Sequence, residues 1–374
     1  MLTQSGCQTR QDRFRALLSH RGLDAAILFD PNEIYYLTGF LISDWLFQPA
    51  AFYFETNGSS LLICHTDEGD ALTDERVLYE SHVLYTRNSD LVRRICAELR
   101  ARLPGRTVSR IGYREEGLPL AIANAVSDSV HPDEWVPIDE DIADMERAKD
   151  PDEIELIRTS IACTMAAYDA AQLAMAPRVT ELVVLQAAER SAILRAGEQV
   201  FHSGDYRAGE FGGPARPRPI LDDELYIIDA WTEYRSYWSD LCRTFAIDEV
   251  SPLQREVYAH IAGVLVEVEE QLKPGVHGTD IWKWVDRRLR QHPLLRDIGL
   301  PHHAGHGVGL RAHEAPDLNR DRGAELRPGD VVSVEPGSYT PELRPGFRLE
   351  NMFLITETGC ELLSDYPLSL ERNL

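Results

Sequence analysis

Apolar and polar positions along this chain follow two rhythms. The stretch RQDRFRALLSHRGLDAAILFD places its apolar residues at helical spacing over about 11–20, meets a terminating glycine at Gly22, and continues as an apolar run over about 24–29 that reads as a buried strand. AAFYFETNGSSLLIC reads as strand, Asn-Gly turn and strand, a strong short-range hairpin signal. Such patterns alternate from residue 10 to 135 and predict an α/β domain, in which His20, His65 and His82 are not spaced like metal ligands. The aromatic run SDWLFQPAAFYF, residues 43–54, suits an interior strand or a subunit contact.

A long helix is predicted after Asp150, which precedes Pro151 and stands three residues ahead of Glu153, the arrangement of a capping box with proline where no N–H is needed. The charge-dense stretch 139–149 before it marks the domain boundary, and the expected domains are 1–142 and 143–374. Thr180 opens a helix to about Ala196. Ser251, with Pro252 and Gln254, opens another that is expected to end at KPG with Gly275 as terminator, and Thr279 opens DIWKWVDRRLRQH. ELYIIDAW, RSYWSDLCRTFAI, DVVSVEPGSY and FRLENMFLITE read as strands, so the second half is expected to be α+β, with helices on one antiparallel sheet.

Those four strands each carry an acid near the centre: Asp229, Asp240, Glu335 and Glu350. Strands disfavour such residues, and an ionised carboxylate buried alone would rather take up a proton, so inward-facing acids need cations. If IDAWTEYRSYWSD folds as a hairpin about Tyr234 and Arg235, Asp229 and Asp240 stand directly opposite on one face, able to share an ion. The alternative is a pair of surface acids on an edge ribbon.

Composition narrows the function classes. A net charge of −23 repels nucleic acid, and no Lys/Arg stripe offsets it. Six cysteines far apart, without a C-x-x-C pair, fit neither a disulfide framework nor a thiolate zinc site. Nowhere do about 18 apolar residues run uninterrupted, and the first residues hold no signal-peptide core, so a cytoplasmic protein without a membrane partner is expected. The tryptophans at 231, 238, 282 and 284 are read as core or sheet packing.

PHHAGHGVGLRAHEAP, residues 301–316, packs four histidines and three glycines together. Gly305 and Gly307 bracket His306, allowing a close backbone approach there, and His302 and His313 flank it at distances suited to reaching a substrate. HHAGH lacks the glutamate of H-E-x-x-H and does not signal a helical zinc protease.

The order Asp, Asp, His, Glu, Glu, carried by IDAWTEYRSYWSD, GHGVGLRAHEAP, SVEPGSY and RLEN, resembles the creatinase, prolidase and aminopeptidase P group of the M24 metallopeptidases. GLDAAILFDPNEIYYLTGF and ERAKDPDEIELIR are similar to that group's N-terminal domain and interdomain helix. The resemblance implies a creatinase-like α/β domain followed by a pita-bread catalytic domain holding two divalent ions. It further implies that Asp229 binds one ion, His306 and Glu335 the other, and that Asp240 and Glu350 bridge them. A hydroxide between the ions would be the nucleophile, Glu335 its proton shuttle, His302 and His313 substrate contacts, and Arg348 a supporting arginine behind the ligands. Four carboxylates and one imidazole favour manganese, ahead of cobalt or zinc.

The implied activity is hydrolysis of the bond before proline in a peptide, by a chain that dimerises with itself. One departure bears on it: the group's usual histidine about seventeen residues before the first aspartate is replaced by Gly212. His202 is the nearest upstream histidine, and Arg207, Arg216 or Arg218 are further candidates for the vacated role. This departure keeps two alternatives open: a C–N hydrolase of the same fold acting on a small amide or amidine metabolite, and a member without activity.

Overall fold

A computed structural model describes residues 1–42 and 48–372, and residue contacts group the chain into Met1–Met145 and Glu146–Leu374. The first unit runs α1 (Gln4–His20), β1 (Ala25–Leu28), α2 (Pro31–Thr38), β2 (Ala51–Glu55), β3 (Ser60–Cys64), β4 (Glu75–Leu78), β5 (His82–Val83), β6 (Thr86–Arg87), α3 (Leu91–Arg102), β7 (Arg110–Tyr113), α4 (Leu120–Val130), β8 (Glu134–Pro137) and α5 (Asp139–Arg147), whose last two residues fall past the unit's end at Met145. Its six-stranded mixed sheet has the order β4-β3-β2-β1-β7-β8. The Asn-Gly hairpin forms as expected, with Ala51 opposite Ile63. Residues 43–47 of the aromatic run lie outside the described residues; Ala51–Phe54 of that run are buried in β2.

α1 begins at Gln4, earlier than apolar spacing predicts. Its buried face includes Arg10 and Gln11, whose side chains donate to the carbonyls of Tyr36 at 2.7 Å and Leu37 at 3.0 Å. A face satisfied by hydrogen bonds leaves no hydrophobic period to read.

The second unit contains α6 (Pro151–Ala174), α7 (Glu181–Ala196), β9 (Phe201–Ala208), β10 (Leu225–Tyr234), β11 (Tyr237–Ala246), α8 (Pro252–Glu267), α9 (Gly278–Leu289), β12 (Gly305–Gly307), β13 (Glu314–Leu318), β14 (Val331–Val334), β15 (Gly337–Tyr339), β16 (Gly346–Arg348), β17 (Asn351–Ile355) and β18 (Cys360–Leu362). The capping boxes open α6 and α8 as the spacing predicts: the Asp150 N–H donates to Glu153 Oε2 at 2.8 Å, and the Gln254 N–H to Ser251 Oγ at 3.1 Å. α8 ends at Glu267, before the KPG segment, because a 3₁₀ turn at Val268–Glu270 tightens the chain first. α9 is capped two residues earlier than expected, by His277, which accepts from the Thr279 N–H.

The single antiparallel sheet expected for this half is instead a three-stranded sheet β11-β10-β9, a five-stranded sheet β13-β12-β14-β17-β18 and the ribbon β15-β16. The two sheets meet where the Glu350 N–H donates to the Cys242 carbonyl at 2.9 Å. The split has a local cause. Pro336 cannot donate to a ladder, so the backbone breaks after Glu335, and it breaks again at Glu350 between β16 and β17. A buried apolar core from Val257 through Leu289 to Phe353 supports the five-stranded sheet. None of the six cysteines forms a disulfide, and among the described residues no helix is long and apolar enough to cross a membrane.

Candidate metal centre

The turn of the β10–β11 hairpin is Arg235–Ser236, with φ of 51° and 67°. Asp229 therefore faces Cys242 and Trp231 faces Asp240, in place of the expected Asp229–Asp240 opposition. Two positive φ values at the turn centre give the twist that two-residue hairpins need, but Arg-Ser does not advertise it as Asn-Gly would. The observed pairing differs from the expected one by an even step, so the parity of faces survives and the two aspartates remain diagonal neighbours.

The other ligand candidates arrive from the second sheet. Gly305 has φ +150°, and a Cβ there would stand 1.9 Å from the Ser333 carbonyl oxygen, so only glycine lets β12 lie this close to β14. That approach sets His306 beside Glu335. The backbone breaks at Glu335 and Glu350 then aim both carboxylates inward from strand ends, whereas the sequence reading placed them mid-strand.

A cavity of about 610 Å³ results, lined by Asp229, Asp240, His306, Glu335 and Glu350, with His302, His303, His313, Pro301, Asp205, Phe211, Trp231, Tyr339 and Arg348 around them. Candidate ligand atoms of Asp229, Asp240 and Glu350 lie within 4.8 Å of one another, as do those of His306, Glu335 and Glu350, and of Asp240, His306 and His313. His306 Nδ1–H donates to the Gly307 carbonyl at 3.0 Å. That leaves the Nε2 lone pair facing Asp240 Oδ2 at 3.7 Å and Glu335 Oε1 at 3.8 Å.

Buried polar atoms without hydrogen-bond partners test whether these residues suit metal ions. Asp240 Oδ1 and both Glu350 carboxylate oxygens have none. Burial, then repulsion from Asp229 and Glu335, raises Asp240 far above the usual carboxylate range. Burial followed by Asp240 and Asp229 does the same to Glu350, and burial followed by Asp229 to Glu335. Burial raises Asp229 as well, with Arg348 working against it. Burial and then the neighbouring His313 push His306 down to about 3, so it is neutral and able to ligate. Buried, mutually repelling, unpartnered oxygens beside a neutral imidazole are a donor set that hard divalent cations satisfy.

The remaining site candidates divide. His302 lines the cavity; its Nδ1–H donates to the His303 carbonyl at 2.7 Å and its Nε2 meets the Tyr339 hydroxyl at 3.3 Å. His313 is exposed at the rim, its ring stacked on His306 at 3.5 Å. Arg348 donates from Nε to Asp229 Oδ2 at 2.8 Å. His202 does not join them. It lies buried on β9, held by Thr232 Oγ1 at 2.8 Å and Tyr206 OH at 2.9 Å, and burial pushes it down to about 4. Nor do Arg207, Arg216 and Arg218, which pair with Glu210, Glu181 and Glu224 respectively.

Several cavity residues escaped the sequence reading. Trp231, expected as packing, lines the cavity together with Phe211 and Tyr339. His303 Nδ1 stands 3.2 Å from Glu335 Oε1. Asp205 faces Asp229 across the β9–β10 ladder, and the register of that ladder was the one signal that could have found it.

Fold and site together define a two-domain metallohydrolase of mixed α/β architecture, with a creatinase-like N-terminal domain and a pita-bread catalytic domain. Residues 155–357 match the model for Metallopeptidase family M24 and residues 10–147 that for the Creatinase/Prolidase N-terminal domain. The chain belongs to metallopeptidase family M24. It is 24% identical over 372 residues to an uncharacterized peptidase, YqhT, of Bacillus subtilis, covering 96% of this chain and 98% of that one. Among solved structures it resembles the prolidase from Pyrococcus horikoshii, with TM-score 0.78, 21% identity and coverage of 97% and 99%. It also resembles an X-Pro aminopeptidase from Thermotoga maritima, with TM-score 0.75, 22% identity and coverage of 96% and 99%.

Proposed function

We propose that this protein is a Xaa-Pro peptidase, a dipeptidase or an aminopeptidase, that binds two divalent ions, manganese ahead of cobalt or zinc, and hydrolyses the peptide bond before proline. The observation that carries the reading is the convergence of Asp229, Asp240, His306, Glu335 and Glu350 on one cavity, with buried carboxylate oxygens left unpartnered. Asp229 would hold one ion, His306 and Glu335 the other, and Asp240 and Glu350 both. Ions so held supply Lewis acidity toward the scissile carbonyl and a nucleophile at neutral pH. The chain's own groups do the rest. Glu335 moves the proton at Oε1, within reach of His303 Nδ1 at 3.2 Å, while His302 and His313 face the substrate and Arg348 holds Asp229 in place.

The reading includes a homodimer, on the strength of the family resemblance, and a cytoplasmic location, supported by six cysteines of which none forms a disulfide. A second reading, C–N hydrolysis of a small amide or amidine, draws on Gly212, where Asp205 fills the space a side chain would need. Metal quantification with assays of Xaa-Pro dipeptides and tripeptides in Mn²⁺ separates them. Peptide turnover that vanishes in Asp240→Ala supports the first, metal bound without peptide cleavage supports the second, and failure to bind metal at any pH would rule out both.

A further inference from the structure

Asp205 and Asp229 stand directly opposite each other on β9 and β10. Like charges in that position repel, and Arg348 sits between them: it contacts Asp229 Oδ2 at 2.7 Å and Asp205 Oδ2 at 2.8 Å. Its remaining donors are taken as well. Nη1 gives to the Tyr339 hydroxyl at 3.0 Å and to the Phe211 carbonyl at 3.1 Å. Asp205 is itself locked, because Oδ1 accepts from the Gly213 N–H at 2.7 Å. A Cβ at Gly212 would come within 2.3 Å of Asp205 Oδ2, so the glycine and the aspartate occupy this wall as a matched pair.

Among the described residues lining the cavity, Arg348 is the one Lys or Arg. Five carboxylates line the same cavity. Two divalent ions offset four of them, and Arg348 offsets the fifth. No fixed positive charge remains for an incoming anion, and a carboxylate carried into such a site unpaired is strongly disfavoured, whereas a carboxamide of the same shape is not.

We propose that Asp205 is a specificity-determining residue: by engaging Arg348 it withholds the cavity's guanidinium from substrate, so that the site accepts chains continuing beyond proline as an amide over dipeptides ending there in a free carboxylate. The inference deepens the peptidase reading and rests on it for the metal-loaded charge balance.

The test compares two product-like probes, L-proline and L-prolinamide, titrated calorimetrically into the metal-loaded wild-type protein and Asp205→Asn, alongside hydrolysis of Ala-Pro and Ala-Pro-Ala. Wild type binds prolinamide at least about tenfold more tightly than proline and favours the tripeptide by a similar factor in kcat/KM. Asp205→Asn, which keeps the shape and removes the charge, shrinks both preferences by about tenfold or more. Equal affinities in the wild type, including no detectable binding of either probe, overturn the proposal whether or not the variant folds. So does a preference unchanged in a folded Asp205→Asn. Because binding is read without turnover, selective binding of prolinamide together with no cleavage of either peptide would count against the peptidase reading alone.

Discussion

Replacing Asp240 by asparagine should stabilise the protein without metal and destabilise it with metal. Asp240 is 4% exposed, and its Oδ1 has no hydrogen-bond partner. In the metal-free chain burial, and then repulsion from Asp229 and Glu335, disfavour its charged form. Asparagine keeps the buried oxygen but cannot ionise, so the cost of burying a group that would be charged in water, about 1–3 kcal/mol or more, is returned. With Mn²⁺ at about a hundred times its dissociation constant, the loaded wild type gains about 2.7 kcal/mol that a variant lacking a bridging ligand loses. For a unit of this size about 2–4 °C of Tm accompanies each kcal/mol. Thermal melts at pH 8 in chelator should place Asp240→Asn about 2–12 °C above wild type; melts in Mn²⁺ should raise wild type by about 5–10 °C and reverse the order. A chelated variant that melts below chelated wild type, or a wild type indifferent to Mn²⁺, would show that Asp240 does not hold a metal ion in a destabilised acidic cluster.

The pH dependence follows the same cluster. Burial, helped by repulsion from neighbouring carboxylates, Asp205 in the case of Asp229, raises Asp229, Asp240, Glu335 and Glu350, so the folded metal-free chain binds more protons than the unfolded one. The stability tied to those protons is complete below the ordinary carboxylate range and is lost as pH rises through the raised values; the Tm gain from Mn²⁺ should therefore grow from about pH 5 to pH 8, and a constant gain in melts would contradict the assignment. His306→Ala should lose at least about a hundredfold in kcat/KM and bind less metal by elemental analysis. His202→Ala should leave the rate within about twofold, since His202 bonds Thr232 and Tyr206 away from the cavity, while a urea melt shows a loss of about 1–3 kcal/mol. Tyr168→Phe removes the hydroxyl that donates to the carbonyls of Ile228 and Leu241 and should cost about 1 kcal/mol by the same melt, with metal content unchanged.

Local rules carried far into this molecule because local physics governs the features they describe. Capping boxes at Asp150 and Ser251 act within one turn, and the hairpin around Asn57-Gly58 closes through a short loop between Phe54 and Ser60, so short windows contained all the information needed. Four acids in apolar surroundings announced a cation site because burial of charge is costly in any fold. The buried face of α1 was invisible for the opposite reason: Arg10 and Gln11 are satisfied by carbonyls more than twenty residues away.

The amino-acid order alone showed that four acids stand in apolar surroundings and that two of them, Asp229 and Asp240, lie in strands on one shared face. Only the tertiary structure decided the register that sets Asp229 against Cys242, the approach of two sheets that brings Glu350 to both halves of the cluster, and the departure of His202 from it. Parity of faces is a property of a single strand, with period two. Which residue stands opposite which depends on a turn and a neighbouring strand, and Asp205 acquires its place at the cavity wall solely because β9 pairs with β10.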